Sequence, residues 1–379
     1  MSMSVFLPAL PVMTTDFETT SSVMQLTISL YLATTACVQL IIGQLSDRFG
    51  RRPVLIWTMG IFVLSAIGML LSPTIEIFLA FRMLGAAVAS ALVISRAIVR
   101  DMVPQEEAAS MIGYVTMGMA IVPMVAPSIG GGLNELFGWQ SIFVFLTICG
   151  IAAFALIVAD LGETSERTHS RFLDQVRTYP ELLASRRFWG YVFASAFASG
   201  AFFAFLGGAS FVASDVFGLS SLWTGIGFGA PAIGYIIGNF LSGRYSMRVG
   251  INLMILAGTI ITAAGMAVSV VISAFVIDHP LIFFLFASFV GLGNGLTVPN
   301  AAAGMLSVRP QLAGTASGLG NAIMVGGGAA LSLLAGFVLT LGSTSVPLQI
   351  LMASTSTFGI ASIYYVIRRE NLIARRSAE

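Results

Sequence analysis

Residues 43–54 read Gly-Gln-Leu-Ser-Asp-Arg-Phe-Gly-Arg-Arg-Pro-Val and lie between two long apolar stretches. Asp47, Arg48, Arg51 and Arg52 would be costly in hydrocarbon, so a short loop carrying them belongs at a water interface with specific work to do. A carboxylate placed there can neutralise Arg51 and face the positive N-terminal end of a helix. Asp101 ends a later apolar stretch and could complete a charge relay with Arg51. Ion pairs of this kind can break and re-form, which is the chemistry of a gate. The plainer reading is a set of anchors that fixes topology. Arg82 is a different case. It lies two turns past Glu76 inside an apolar stretch, where a cation must pair, face a cavity or snorkel to the surface. Arg96 lies nearer the end of that stretch and is expected to snorkel.

Other chemistries are poorly represented. Cys37 and Cys149 sit in apolar runs without a CxxC spacing and read as small packing residues. His169 and His279 are far apart in sequence, so no metal site and no cofactor is expected. There are no paired carboxylates within a span, no HExxH and no Gly-x-Ser-x-Gly setting, which argues against an enzyme. No basic cluster is interleaved with stacking aromatics, and no nucleic-acid partner is expected.

The elements that position these residues follow from composition. Hydrophobic residues make up 57% of the 379 and charged residues 9%, against about 25% charged in soluble domains. Too few charges remain to cover a soluble surface, so the chain uses lipid as its solvent. All 18 basic residues are Arg. A spanning helix needs about 20 mostly apolar residues. Eleven spans are predicted, near 24–45, 54–72, 76–99, 110–133, 139–160, 188–212, 222–243, 251–273, 280–306, 314–341 and 346–367. Met1–Met13 is also apolar but too short to cross. It is expected to be the outer half of a first helix whose inner half is missing, rather than an interfacial or signal-like segment.

If the helices alternate, Arg48, Arg51, Arg52, Arg100, Arg167, Arg171, Arg177, Arg186, Arg187, Arg244, Arg248, Arg309, Arg368, Arg369, Arg375 and Arg376 all fall on one side. The opposite loops carry Asp16, Glu18, Glu76, Glu135, Asp215 and Asp278. The positive-inside rule then makes both termini and the central loop cytoplasmic. The chain also resembles itself at a spacing near 200 residues. Leu45–Phe49 matches Leu241–Tyr245, which puts Gly243 where the first copy has Asp47; Pro104-Gln105 matches Pro310-Gln311; Ala109-Ser110 with Gly113 echoes Ala316-Ser317 with Gly320. The expected organisation is an N-terminal bundle over 1–160, a linker over 161–187 and a C-terminal bundle over 188–379. Arg171–Arg187 reads as an amphipathic helix on the inner face, interrupted at Pro180.

Residues 43–52 resemble the signature loop of the major facilitator superfamily, Gly-x-Leu-x-Asp-Arg-x-Gly-Arg-Arg, with Gly43, Asp47, Arg48, Gly50, Arg51 and Arg52 in the motif positions. The resemblance implies that this loop stabilises the outward-open state. Arg82-Met-Leu-Gly85-Ala86 is similar to the family's Arg-x-x-Gln-Gly, with Gln and Gly replaced; the resemblance links Arg82 to proton transfer. The stretch Gly118–Gly132 carries Pro123 and Pro127, then Gly130 and Gly131. Prolines four apart bend a helix, and the glycines admit a close neighbour. It resembles the antiporter motif Gly-Pro-x-x-Gly-Gly, with Ala-Pro for Gly-Pro, a pattern of exporters more than importers.

Phe6-Leu-Pro-Ala-Leu-Pro11 resembles Thr-Asp-x-Tyr-Leu-Pro-Ala-Leu-Pro of the bicyclomycin-resistance (Bcr/CflA-type) drug:proton antiporters. Ser95-Arg96-Ala97 with Arg100-Asp101 resembles their Ser-Arg-Ala-x-x-Arg-Asp. Ser4 stands where that subfamily has its membrane Asp, and no other carboxylate lies deep in any span. The resemblance implies an all-α membrane protein of two six-helix bundles related by a pseudo-two-fold along the membrane normal, the first helix truncated. It implies a monomer in a bacterial inner membrane that exchanges small amphipathic drugs for protons. Phe6, Tyr31, Phe205, Asn294 and Asn321 are the candidate substrate contacts, assigned from helix identity. The alternatives are a facilitator or importer of a small metabolite, and an inactive truncated transporter.

Overall fold

The structure is a computed structural model and describes residues 1–102, 122, 125–164, 179–309, 313–340 and 342–378. Among the described residues every regular element is a helix. A 3₁₀ turn at Leu7–Ala9 leads into α1 (Leu10–Asp16), followed by α2 (Ser21–Phe49), α3 (Arg51–Leu70) and α4 (Ile75–Gly85). A second 3₁₀ turn, Ala86–Ala89, joins α4 to α5 (Ser90–Met102). Then come α6 (125–137), α7 (Gln140–Asp160), α8 (Tyr179–Leu183) and α9 (Arg186–Phe211). The remainder are α10 (Ser221–Gly227), α11 (Gly229–Val249), α12 (Ile251–Phe275), α13 (Pro280–Val308), α14 (Ala313–Leu339) and α15 (Val346–Ala378).

Ten helices among the described residues are long and apolar enough to cross a membrane. They coincide with ten of the eleven predicted spans; the other, 110–133, lies largely outside the described residues. Trp57, Leu64, Phe240, Leu285 and Phe337 stand exposed on these helices. Large apolar side chains presented outward along charge-free stretches of helix suit a lipid solvent and would be a liability in water. The protein is a multi-pass membrane protein.

Local chemistry sets the helix ends. The Thr20 hydroxyl caps α2 by accepting from the Val23 N–H at 3.3 Å, and Ser185 caps α9 through Phe188 N at 3.4 Å. Gly50 has φ +98° and ψ 153°, and Gly250 has φ +89° and ψ 148°. This backbone region belongs essentially to glycine. Each glycine lets one helix stop and the next begin with that single residue between them. Their N–H groups bond the carbonyls of Ser46 and Ser246 at 3.1 and 2.9 Å.

These turns correct the register of the internal repeat. They lie 200 residues apart, whereas Leu45–Phe49 and Leu241–Tyr245 lie 196 apart. Relative to the turn, Arg48 corresponds to Arg248 and Asp47 to Met247, not to Gly243. The four-residue difference is close to one helical turn, so both registers keep serine on the same face. Of the other matched pairs, Pro104-Gln105, Ala109-Ser110 with Gly113, and Pro310-Gln311 lie outside the described residues. Pro180 lies in α8; the preceding stretch lies outside the described residues.

The chain divides into two compact units, Met1–Asp174 with Ser220–Ile226, and Gln175–Leu219 with Gly227–Glu379. In the first, α3 packs on α4 and α7, and Phe6, Phe17, Phe78, Trp139 and Phe143 form a continuous aromatic cluster. Met1–Met13 is not an exposed surface segment: Val5 to Leu10 and Met13 are buried. In the second unit α9 is the most enclosed helix, packed by α13, α14 and α15. Where α11 crosses α13, a Cβ on Gly291 would fall on the Pro231 carbonyl oxygen, and one on Gly234 would fall on that of Ser288. The two backbones touch, as small residues allow between membrane helices.

Candidate functional site

The turn at Gly50 assembles a cluster of charge around Arg51. Arg51 is only 5% exposed. Its NH1 meets Asp47 Oδ1 at 2.5 Å and donates to Ser46 Oγ at 2.6 Å, and its Nε donates to Asp101 Oδ2 at 3.1 Å. The backbone N–H of Arg51 donates to Glu163 Oε1 at 2.9 Å. One arginine therefore gathers carboxylates from the ends of α2 and α5 and from the segment after α7. Ser46 Oγ in turn donates a hydrogen bond to the Gly43 carbonyl at 2.7 Å. Arg52 NH2 donates to the Val158 carbonyl of α7 at 3.0 Å. Arg48 is exposed, with its guanidinium 5.4 Å from the Phe49 ring centroid. A side chain on Gly50 would collide with the Glu163 carboxylate, whereas a Cβ on Gly43 would meet nothing within 4 Å. Nothing in this structure requires glycine at 43.

Sequence reasoning brought Asp47, Arg51 and Asp101 together but missed Glu163 and Ser46. Glu163 had been counted as linker. The available signal was an acid just past a span, on the side holding the arginines.

The second site is at Arg82, which is fully buried, so the snorkelling alternative does not hold. Its Nε donates to the Thr27 carbonyl of α2 and its NH1 to Ser2 Oγ, both at 3.3 Å. The Phe6 and Tyr31 rings cover the guanidinium, each with its centroid 4.2 Å from Cζ. NH2 has no hydrogen-bond partner, and no salt bridge to Arg82 occurs among the described residues. Ser4 Oγ and both polar side-chain atoms of Gln25 are likewise buried without partners. Burying an ion costs several kcal/mol even after relaxation. The two rings return about 2 kcal/mol each when desolvated. The two hydrogen bonds are long and end on neutral acceptors, so among the described residues the positive charge is uncompensated. The Arg96 side chain lies outside the described residues.

Helix α6 explains part of the Pro/Gly pattern; Pro123 lies outside the described residues. Side chains at Gly130 and Gly131 would fall on the carbonyl oxygens of Val5 and Ser221. Their absence seats both the N-terminal segment and α10 against α6. Asn134 Nδ2 donates to Ser221 Oγ at 2.7 Å, Ser128 Oγ to the Gly225 carbonyl at 3.2 Å, and the Leu222 N–H to Glu135 Oε2 at 3.1 Å. The Pro127 carbonyl lies where a Cβ on Gly225 would go.

Of the candidate substrate contacts, Phe6 and Tyr31 meet on Arg82 in the first unit. Phe205, Asn294 and Asn321 belong to the second. Phe205 is fully buried, 5.1 Å from the Phe228 ring and 5.9 Å from that of Phe283, so its ring is committed to packing. Asn294 is buried and its Oδ1 has no partner; Asn321 is half-buried on α14. A polar network that sequence reasoning missed ties α9, α12 and α15. Glu370 receives Arg187 NH2 and Asn252 Nδ2, each at 2.5 Å. Tyr191 Oη lies 2.8 Å from Asn252 Oδ1 and 3.2 Å from Glu370 Oε1.

The profile described as Major Facilitator Superfamily matches residues 1–333. The chain is 31% identical to the uncharacterized MFS-type transporter YdgK of Bacillus subtilis, covering 96% of this chain and 91% of that one. It is 27% identical to a bicyclomycin resistance protein homolog of Haemophilus influenzae, covering 98% and 93%. Its fold is similar to that of a bacterial homolog of the human lysosomal transporter Spinster, solved in an inward-facing and occupied conformation. The TM-score there is 0.75 at 18% identity, over 97% of this chain and 93% of that one.

Proposed function

Because the chain belongs to the Major Facilitator Superfamily, we propose that it is a secondary carrier that works by alternating access and exports small amphipathic drugs in exchange for protons. The observation that carries this reading is the Arg51 cluster. Nearly buried Arg51 holds the ends of α2 and α5 through its guanidinium and the segment after α7 through its backbone N–H, and the carboxylates it gathers reach solvent. Breaking a few ion pairs at a wet edge would free those ends together, which is what a gate needs. The drug class is supported by the likeness, over 98% of the chain, to a bicyclomycin resistance protein homolog. The arginine asymmetry supports a bacterial inner membrane, with the Arg51 side and the central loop facing the cytoplasm.

Arg82 is the residue proposed to couple protons. A guanidinium does not itself release a proton in proteins, so its part is to bias acids elsewhere through its field. One observation favours a second reading, a facilitator or importer of a small metabolite: no carboxylate pairs with Arg82 among the described residues. Inverted membrane vesicles energised to an acidic interior separate the two. Candidate drugs are added and the proton gradient is followed, with Asp47→Asn and Arg82→Ala in parallel. Drug-dependent proton release that disappears in Arg82→Ala supports antiport. Drug movement indifferent to the proton gradient sinks antiport, and uptake driven by the solute's own gradient supports the second reading.

A further inference from the structure

We propose that Arg82 binds a monovalent anion, either a free inorganic ion or the carboxylate of an amphiphilic substrate. The geometry makes the demand specific. Of the guanidinium's five N–H donors, Nε and one hydrogen of NH1 are used, on a backbone carbonyl and a hydroxyl. Both acceptors are neutral and leave the charge in place. The Phe6 and Tyr31 rings stand against the guanidinium, each centroid 4.2 Å from Cζ, and the NH2 edge, which has no partner, is where a ligand would find free donors. Water could accept those protons but would bring no charge.

The surroundings choose the ligand. Ser4 is buried, belongs to the same segment as Ser2 and Phe6, and has a hydroxyl without a partner, so this segment holds a second donor besides the arginine. The rest of the setting is aromatic, with Phe6 continuing into Phe143 at 6.4 Å and from there to Phe78 and Trp139. The guanidinium beside these rings carries one positive charge and suits one negative charge on a small or aromatic body. The inference rests on the transporter reading only for the conformational change by which a ligand reaches a fully buried group.

The test is equilibrium binding to the full chain in detergent, at constant ionic strength held with a bulky sulfonate salt. The probes are radiolabelled benzoate, its neutral analogue benzamide, and chloride as competitor. Benzoate should bind saturably, at least tenfold more tightly than benzamide. Arg82→Gln should weaken it tenfold or more, Arg82→Lys should restore part of the affinity, and Arg244→Gln, an exposed arginine, should change nothing. Ser4→Asp, which would tether a carboxylate to this segment, should compete with benzoate and weaken it likewise. Competition by chloride would identify a free inorganic ion as sufficient; benzoate binding that ignores chloride would assign the charge to an organic substrate. Equal binding of benzoate and benzamide, no saturable binding of either anion, or undiminished affinity in Arg82→Gln would overturn the inference. The first comparison uses the unaltered chain, so it decides even if a variant fails to fold. If anions fail to bind while drugs still discharge the proton gradient, this inference falls and the transporter reading stands. Anion binding without drug-driven proton release gives the reverse.

Discussion

Gly50→Ala should destabilise the protein by a definite excess over Gly250→Ala, and the excess should be traceable to one carboxylate. Both glycines occupy nearly the same glycine-only backbone conformation, φ +98° and ψ 153° against φ +89° and ψ 148°. Forcing a residue with a Cβ into that region costs on the order of 1–3 kcal/mol. The surroundings differ. A Cβ on Gly250 meets nothing within 4 Å, while one on Gly50 collides with the Glu163 carboxylate. Displacing that carboxylate breaks its bond to the Arg51 N–H. A charged hydrogen bond contributes about 1.5–3 kcal/mol, but Glu163 is exposed, so solvent screening reduces this to about 1 kcal/mol. Gly250→Ala is therefore expected to cost on the order of 1–3 kcal/mol, and Gly50→Ala about 1 kcal/mol more. The assay is equilibrium unfolding in mixed micelles for four variants: Gly250→Ala, Gly50→Ala, Glu163→Ala and Gly50→Ala with Glu163→Ala. In the absence of the Glu163 carboxylate, the cost of Gly50→Ala should fall to that of Gly250→Ala. An excess that survives Glu163→Ala would refute the collision argument. Two variants that cost nothing would refute the strain argument as well.

Arg51→Ala should cost about 2–3 kcal/mol, less than the 3–5 typical of a broken buried pair because Asp47 and Asp101 keep contact with water; a loss under about 1 kcal/mol in the same assay would make the cluster a set of surface anchors. Gly291→Leu should cost more than about 3 kcal/mol, because its Cβ alone would fall on the Pro231 backbone; normal yield and a monodisperse gel-filtration peak would contradict the close α11–α13 crossing. Glu370→Gln should cost only about 1 kcal/mol, since the Arg187–Glu370 pair is about a third exposed on each side. That loss should shrink in high salt, and a salt-independent loss would assign the network to packing instead.

The spans were legible because hydrocarbon tolerates almost no charge, so the gaps between arginines and acids mark the helices directly. The pairing of Asp47 with Arg51 was legible for a related reason: lipid confines both to one short wet turn. Asp101 was within reach of sequence because it ends a helix on the same side. Glu163 carried only a weak signal, because an exposed acid just past a span looks like any linker residue until the helix ends are placed. The Arg187–Glu370 pair spans 183 positions, and no local pattern encodes such a contact. The repeat was detected, but its register slipped by one helical turn, since periodicity near 3.6 makes neighbouring turns look alike. The ring neighbours of Phe205, Phe228 and Phe283, were not legible either, since no local pattern encodes contacts between distant helices.

The division of one span between two units bears on how the chain is built. Ser221–Val249 is long and apolar enough to cross once, yet residues 220–226 join the first unit and the residues from Gly227 onward join the second. The seat for α10 on α6 is ready as soon as α6 is made, but α10 leaves the ribosome only after all of α9. The first unit thus finishes late, holding its last seven residues in trust for a helix that belongs mostly to the other half. A gene cut at the central loop would leave the N-terminal fragment without that piece. The C-terminal fragment would carry it, and co-expression of the two fragments would have to rejoin a contact that the intact chain makes within itself.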